Sequence, residues 1–292
     1  MRFSIAILCT AFCLGSLTGC SPKEAPPPGK TTRISATKDF EAYFGTAPST
    51  DKGTCYAFVI YFPAGKEPGK VVPFPFFSFD QASLKKVALQ RLLSGMGEKA
   101  YAADFPQLFP KGARLLSLTE QNGVVTADFS KELSSITADT NRGRALFNAI
   151  SLTVRQFAGV TRVRIQSEGS DLFPASQQPS AEASVVLQPS PPRLLKLVAM
   201  KEKTSAPVEE VDALFDRPVD IKECRFVLAD GTPLTGEVFH SMFDMAAVLK
   251  PKQPEKLAEG AKIKVIWKVT DKKGRSAQGE DTVTLEVTVH QQ

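Results

Sequence analysis

The first twenty residues carry a short apolar run that begins after a positive charge and ends at a cysteine. Arg2 supplies the charge, and residues 3–17 are mostly apolar. This run is too short to cross a bilayer core of about 30 Å, which needs roughly 20 apolar residues. A charged start followed by such a run is typical of an export signal. We therefore predict that residues 1–19 are a signal peptide and that the remaining chain folds outside the cytoplasm.

The end of this run, Leu17-Thr18-Gly19-Cys20, resembles the bacterial lipobox, whose cysteine receives a diacylglycerol before cleavage on its N-terminal side. The resemblance implies that Cys20 is a lipid anchor and that the bilayer is its partner, since several acyl chains hold a protein stably on a membrane. Ser21 favours the periplasmic leaflet of the outer membrane in a host with two membranes, and otherwise the outer face of the cytoplasmic membrane. An ordinary secretory signal followed by an incidental cysteine is the alternative.

Two cysteines remain once Cys9 and Cys13 leave with the signal and Cys20 is acylated. Cys55 and Cys224 either pair in an oxidising compartment or stay buried as inert thiols, and the sequence leaves both alternatives open. The net charge of +5 is spread along the chain. It suits an anionic surface, such as lipid headgroups or wall polymer, or simply a solvated exterior. Outside the membrane, nucleic acid is not an expected partner.

Composition divides the mature chain into a tether and two domains. Residues 20–50 are predicted to be the lipidated cysteine and a flexible tether, because the segment starts with many Pro, Lys and Thr residues and little apolar material. Residues 51–188 form the first predicted domain and residues 189–292 the second. The boundary falls in a Pro-rich segment at 188–192.

Hydrophobic periodicity predicts an α+β first domain with the order β-β-α-β-β-α-β and with helices covering one face of a sheet. Pro73 and Pro75 confine the second strand to an edge. Asp80 is expected to cap the first helix, and Asp139 or Asn141 the second. The predicted strands cover 54–62, 70–79, 112–120, 124–130 and 160–167, and the predicted helices cover 81–94 and 142–157.

The second domain is predicted to be all-β. Its strands alternate apolar and polar residues, most clearly from Lys262 to Thr270, where Trp267 lies on the apolar side. About seven short alternating strands in roughly 100 residues favour an immunoglobulin-like sandwich. The predicted strands cover 194–200, 208–215, 224–228, 234–241, 245–249, 262–270 and 282–289.

Five short stretches of the first domain, in order and spacing, resemble the spore-germination GerM-type (GerMN) domain. The resemblance implies an α+β fold and a non-catalytic interaction module, of the kind that helps assemble envelope complexes in spore formers. The stretches are Tyr61-Phe62-Pro63, Leu92-Leu93-Ser94-Gly95, Phe109-Pro110-Lys111-Gly112-Ala113, residues 123–130 and Gly159-Val160-Thr161-Arg162-Val163.

The second domain resembles bacterial immunoglobulin-like domains of the surface-layer protein type. The resemblance covers residues 214–220, which end a strand in the pattern F-x-x-P-V-D, and the turn-containing stretches 230–232, 249–251, 257–260 and 269–274. It implies an immunoglobulin-like fold for residues 189–292.

Sequence motifs for catalysis, metal binding or cofactor binding are missing from the chain. Its two histidines, His240 and His290, are not at metal-ligand spacing, and no nucleophile motif accompanies them. We therefore predict no catalytic residues, no metal and no small-molecule cofactor. Glu98, Asp104 and Asp128 keep one enzymatic alternative open, because a pair of carboxyl groups in a cleft can hydrolyse a wall glycan.

The candidate binding residues are five arginines from the second predicted helix and the strand after it. Arginine binds carboxylate or phosphate groups bidentately, so a basic surface here would suit an anionic ligand or a protein partner. A solvated surface without a ligand is the alternative. The five residues are Arg142, Arg144, Arg155, Arg162 and Arg164.

Taken together, these patterns predict a non-enzymatic, membrane-anchored protein that binds an envelope protein or a cell-wall polymer. Two alternatives remain open from the sequence. One is an enzyme acting on peptidoglycan or a related glycan, and the other is a purely structural spacer.

Overall fold

The computed structural model describes residues 32–50, 53–97, 101, 104–174 and 183–289. The predicted signal peptide, the predicted anchor Cys20 and its neighbour Ser21, as well as Glu98 and His290, lie outside these ranges. Within them, every helix is too short or too polar to cross a membrane.

The first domain contains the predicted order β-β-α-β-β-α-β, with a short helix and small strands added before it and one small strand after it. Most predicted elements lie within three residues of their observed bounds. The elements are β1 (Thr32–Arg33), β2 (Ser35–Ala36), α1 (Lys38–Phe44), β3 (Ser49–Thr50), β4 (Tyr56–Pro63), β5 (Val71–Ser78), α2 (Leu84–Ser94), β6 (Leu115–Gln121), β7 (Val124–Phe129), α3 (Asn141–Arg155), β8 (Arg162–Ser167) and β9 (Ser170–Asp171).

These strands form two main sheets, which corrects the prediction of a single sheet. One sheet has the order β2-β4-β5 and the other has the order β6-β7-β8-β9. Helix α3 contacts both β4 and β8, and its buried side chains join one continuous core with the two sheets. The prolines keep β5 at an edge as predicted, because Pro73 and Pro75 offer no amide hydrogen to a further strand.

Residues 32–50 are folded, so the prediction that the flexible tether reaches residue 50 is wrong. Thr37 caps α1 by accepting a hydrogen bond from the Phe40 backbone N–H. The side chains of Phe40 and Phe44, one turn apart, are buried in the core of the first domain. Only a few apolar residues anchor this segment, which is why its average composition resembles a linker.

The helix caps also differ from the predictions. Helix α2 begins after Ser83, and the carboxylate of Asp80 accepts a hydrogen bond from the Ser83 backbone N–H instead of capping the helix itself. Helix α3 is capped by Thr140, whose side chain accepts from the Gly143 backbone N–H at 2.9 Å. The predicted caps, Asp139 and Asn141, flank this threonine on either side.

The second domain is an all-β, immunoglobulin-like sandwich, as predicted. Residues 276–284 of the last strand pair with the strand Lys262–Asp271, and residues 285–289 pair with the strand Leu194–Lys201. The last strand therefore connects the two halves of the sandwich. The strand order is β13-β12-β16-β17-β10-β11-β15-β14. Its strands are β10 (Leu194–Lys201), β11 (Glu210–Phe215), β12 (Val219–Leu228), β13 (Pro233–Leu234), β14 (Gly236–His240), β15 (Ala246–Pro251), β16 (Lys262–Asp271) and β17 (Ser276–Val289).

A buried ionic network lies where the two domains meet. Arg217 is only 5% exposed and donates from Nε and Nη2 to the carboxylate of Asp216, at 2.9 Å each. Its Nη1 lies 3.6 Å from the carboxylate of Asp271. Tyr101 of the first domain donates its hydroxyl to Asp216 at 2.9 Å. Burial raises the pKa of Tyr101, so this hydroxyl keeps its proton and remains a donor.

Further contacts extend this junction on both sides. Arg275 donates to the backbone carbonyl of Tyr43 at 2.7 Å and to that of Pro189 at 3.2 Å. The ring of Phe243, from the β14–β15 turn, stacks on Phe77 of β5 with centroids 4.4 Å apart. Charged and aromatic contacts therefore pack the sandwich against α1 and β5. The two domains together form one compact unit.

Candidate functional site

The outer face of the β6-β7-β8-β9 sheet is polar and open. Side chains alternate along β7 and β8, so Val125 and Val163 point into the core while Thr126, Arg162 and Arg164 lie on the other side. The parallel register places Val124 beside Arg162 and Thr126 beside Arg164. Helix α3 packs on the apolar side, which leaves the polar side available to a ligand.

This face contains a groove of about 580 Å³, within the roughly 300–1,000 Å³ typical of ligand pockets. Most of its lining side chains are arginines, amides or hydroxyls. The lining residues are Thr119, Gln121, Asn122, Val124, Thr126, Arg162, Arg164, Ile165, Asp171 and Phe173.

Two arginines give the groove its charge. Arg164 donates from Nη2 to both carboxylate oxygens of Asp171, at 2.9 and 2.8 Å, and Gln166 donates to the same carboxylate at 2.9 Å. The hydrogen bond from Arg164, followed by that from Gln166, lowers the pKa of Asp171. The exposed Arg162 side chain makes no hydrogen bond or ion pair with the described residues. One positive charge in the groove is therefore left without a counter-charge.

The five candidate arginines do not form one surface, contrary to the prediction. Arg142 donates to the Leu108 carbonyl at 2.9 Å, and Arg144 donates to the Asp139 carbonyl at 2.7 Å, so both guanidinium groups hold loops of their own domain. Arg155 ends the same helix. At a rise of 1.5 Å per residue, Arg155 and Arg142 lie about 20 Å apart along the helix axis.

Of the five, only Arg162 and Arg164 line the groove. Sequence reasoning overlooked their neutral neighbours, Gln121, Asn122 and Thr126. The alternation along the predicted strand 124–130 could have placed Thr126 on a polar face, between the apolar Val125 and Ala127. Gln121 and Asn122 lie between the two predicted strands, where alternation gives no signal.

Asp104 and Asp128, two of the carboxylates that the sequence offered for glycan hydrolysis, each accept a hydrogen bond from their own surroundings. Asp104 accepts a hydrogen bond from Arg193 at 2.7 Å, and this bond lowers the pKa of Asp104, whereas a general acid needs a raised pKa. Asp128 accepts from the Gly169 backbone N–H at 3.0 Å. Across the described ranges, no group of three or more His, Cys, Asp or Glu side chains can hold a metal ion.

The two cysteines among the described residues are free thiols in different domains. Cys55 is buried in the first domain, and Cys224 lies on β12 of the second. Burial raises the pKa of both thiols, that of Cys224 to about 12, so both are poor nucleophiles at neutral pH. The sequence left open a disulfide between these cysteines or two unreactive thiols, and the structure contains the two thiols.

Residues 59–173 match the protein-family model Germane, described as sporulation and spore germination. The chain therefore contains a domain of the GerMN class, as its sequence motifs predicted. Every residue that lines the groove lies within the matched range. The candidate site is thus a feature of the GerMN-type domain and not of the sandwich.

Three solved structures are similar to parts of this chain. The first GerMN domain of the sporulation protein GerM from Bacillus subtilis is 20% identical over 39% of this chain and 84% of that chain, with a TM-score of 0.33. The tandem GerMN domains of the same protein are 15% identical over 56% of this chain and 59% of that chain, with a TM-score of 0.33.

The third structure is a Clostridium perfringens protein provisionally named a lipoprotein. It is 17% identical over 40% of this chain and 78% of that chain, with a TM-score of 0.28. No similar sequence was found among curated proteins. The assignment of the GerMN-type domain therefore rests on the family model.

Proposed function

We propose that this chain is a non-catalytic, lipid-anchored envelope protein that binds a protein complex or a cell-wall polymer through the open face of its GerMN-type domain. The observation that carries the proposal is the polar sheet face, which the described helices leave uncovered and which contains the unpaired Arg162. The lipobox resemblance at Cys20 supports the location on a membrane. The family description, sporulation and spore germination, supports a role in the envelope.

The spacer alternative predicts that the sandwich can be deleted without loss of any phenotype. The contacts at the domain junction argue against this, because Tyr101, Tyr43 and Phe77 of the first domain each bind a residue of the second. Deleting the sandwich would expose these groups and disturb the first domain. The deletion is therefore a poor test of spacing, and point variants on the open face test the function more cleanly.

The anchor is tested by labelling cells with an alkyne-bearing palmitate analogue and separating membrane from soluble fractions. We expect the wild-type protein to be labelled and to remain with the membrane, and the Cys20→Ala variant to lose the label. Mass spectrometry that finds an intact, unacylated N-terminus on cytosolic protein would refute the anchor.

The binding role is tested by crosslinking membranes of the native host and purifying the protein with its adducts. Arg162→Glu reverses the charge in the groove, and Arg225→Glu is the matched control, because Arg225 is also an exposed arginine on a strand, with a side chain 65% exposed. We expect one reproducible adduct with the wild-type and control proteins and its loss with Arg162→Glu. An adduct that is unchanged in Arg162→Glu, or none in several growth states, would contradict the proposal.

A further inference from the structure

We propose that the groove recognises a carboxylate on an acidic peptide segment of a partner protein. This inference rests on the proposed function and specifies the chemistry of the partner. It assigns Arg162 and Arg164 to the carboxylate, and Gln121, Asn122 and Thr126 to the peptide groups around it.

The charges in the groove favour an anion. Arg162 has no partner among the described residues, and Arg164 uses only Nη2 to hold Asp171. Nε and Nη1 of Arg164 therefore remain available as donors, next to the whole guanidinium of Arg162. With Asp171 counted, the groove has one net positive charge. A guanidinium forms paired, charge-assisted hydrogen bonds with a carboxylate or a phosphate. The single net positive charge of the groove matches the one negative charge of a carboxylate better than the higher charge of a phosphate.

The neutral side chains favour a peptide over a phosphate-rich polymer. The amides of Gln121 and Asn122 both donate and accept, which matches the N–H and C=O groups that a peptide presents. The carboxylate of Asp171 accepts from peptide N–H groups but repels the closely spaced charges of a polyphosphate chain. Phe173, the aromatic residue of the lining, is only 3% exposed and offers little ring surface for stacking on a sugar.

The test measures binding of a fluorescent decaglutamate peptide to the full mature protein in detergent, at low salt, by fluorescence anisotropy. Decaglutamine of the same length controls for backbone binding. We expect decaglutamate to bind at least tenfold more tightly than decaglutamine. Arg162→Gln should weaken decaglutamate binding at least tenfold, Arg162→Lys should weaken it less, and Arg225→Gln should leave it within twofold.

Because Arg162 is exposed, these variants should keep the wild-type melting curve, which circular dichroism checks. Decaglutamate binding that is unchanged in Arg162→Gln would overturn the inference. So would a wall phosphopolymer that binds more tightly than decaglutamate and depends on Arg162.

The result also separates this inference from the proposed function. If the crosslinked adduct depends on Arg162 but decaglutamate does not bind, only the peptide assignment fails. If neither depends on Arg162, both proposals fail.

Discussion

Replacing Arg217 with Met tests whether the buried ionic network stabilises the folded chain. The substitution keeps most of the side-chain volume and removes the charge that lies between Asp216 and Asp271, which are 3% and 2% exposed. Removing one partner of a buried ion pair costs about 3–5 kcal/mol, because the remaining charge stays buried without its counter-charge.

The remaining hydrogen bonds place the expected loss near the lower end of that range. Asp216 keeps the Tyr101 hydroxyl at 2.9 Å and the Arg193 backbone N–H at 3.1 Å. Asp271 keeps the Nε of Arg275 at 2.6 Å. We therefore expect Arg217→Met to lower the free energy of unfolding by about 3 kcal/mol.

Urea denaturation of the mature protein, followed by circular dichroism and by the fluorescence of Trp267, measures this loss. Arg225→Met is the control: its guanidinium pairs with Glu223 at the surface, so its loss should cost less than about 1 kcal/mol. Adding Asp216→Asn to Arg217→Met should recover part of the stability, because it removes the unpaired buried charge. A loss below about 1 kcal/mol for Arg217→Met would refute the reasoning.

Three further predictions follow from single residues. Gly143→Ala should destabilise the protein in urea by more than about 1 kcal/mol, although alanine favours helices, because the new methyl group would lie 2.0 Å from the Thr137 carbonyl oxygen. Arg164→Gln should raise the pKa of Asp171 in a carboxyl NMR titration. Since the wild-type pKa of Asp171 is lowered, the stability that this carboxylate contributes is present at neutral pH and is lost below about pH 4. The Arg164→Gln variant should therefore lose less stability than the wild type when the pH falls through that range. Iodoacetamide at pH 8 should modify Cys224 in urea but not in the native protein, as measured by mass spectrometry.

Local patterns in the sequence predicted the elements around the site well. The alternation of Val163 and Ile165 with arginines gave both the extent of β8 and the two faces of its sheet. The apolar positions of α3 gave its extent to within two residues at each end, at Asn141 and Arg155. These features depend only on the periodicity of one element, which a single sequence contains.

The failed predictions depend on which elements become neighbours in space. Periodicity put Arg142 and Arg162 on adjacent elements but did not show that the first binds a loop and the second faces a groove. It likewise did not show that the strands form two sheets. Residues 32–50 were missed because two phenylalanines, Phe40 and Phe44, supply most of the anchoring in a segment of mixed composition.

Site-specific photocrosslinking in host membranes tests the central claim most directly, namely that an anchored protein makes contact through its open sheet face. A photoreactive benzoylphenylalanine replaces Thr126 in the groove or, as the control, the exposed Ser134 outside it. We predict a discrete adduct from position 126 that position 134 does not give and that Arg162→Glu abolishes. The absence of an adduct at position 126, or the same adducts from both positions, would contradict the claim.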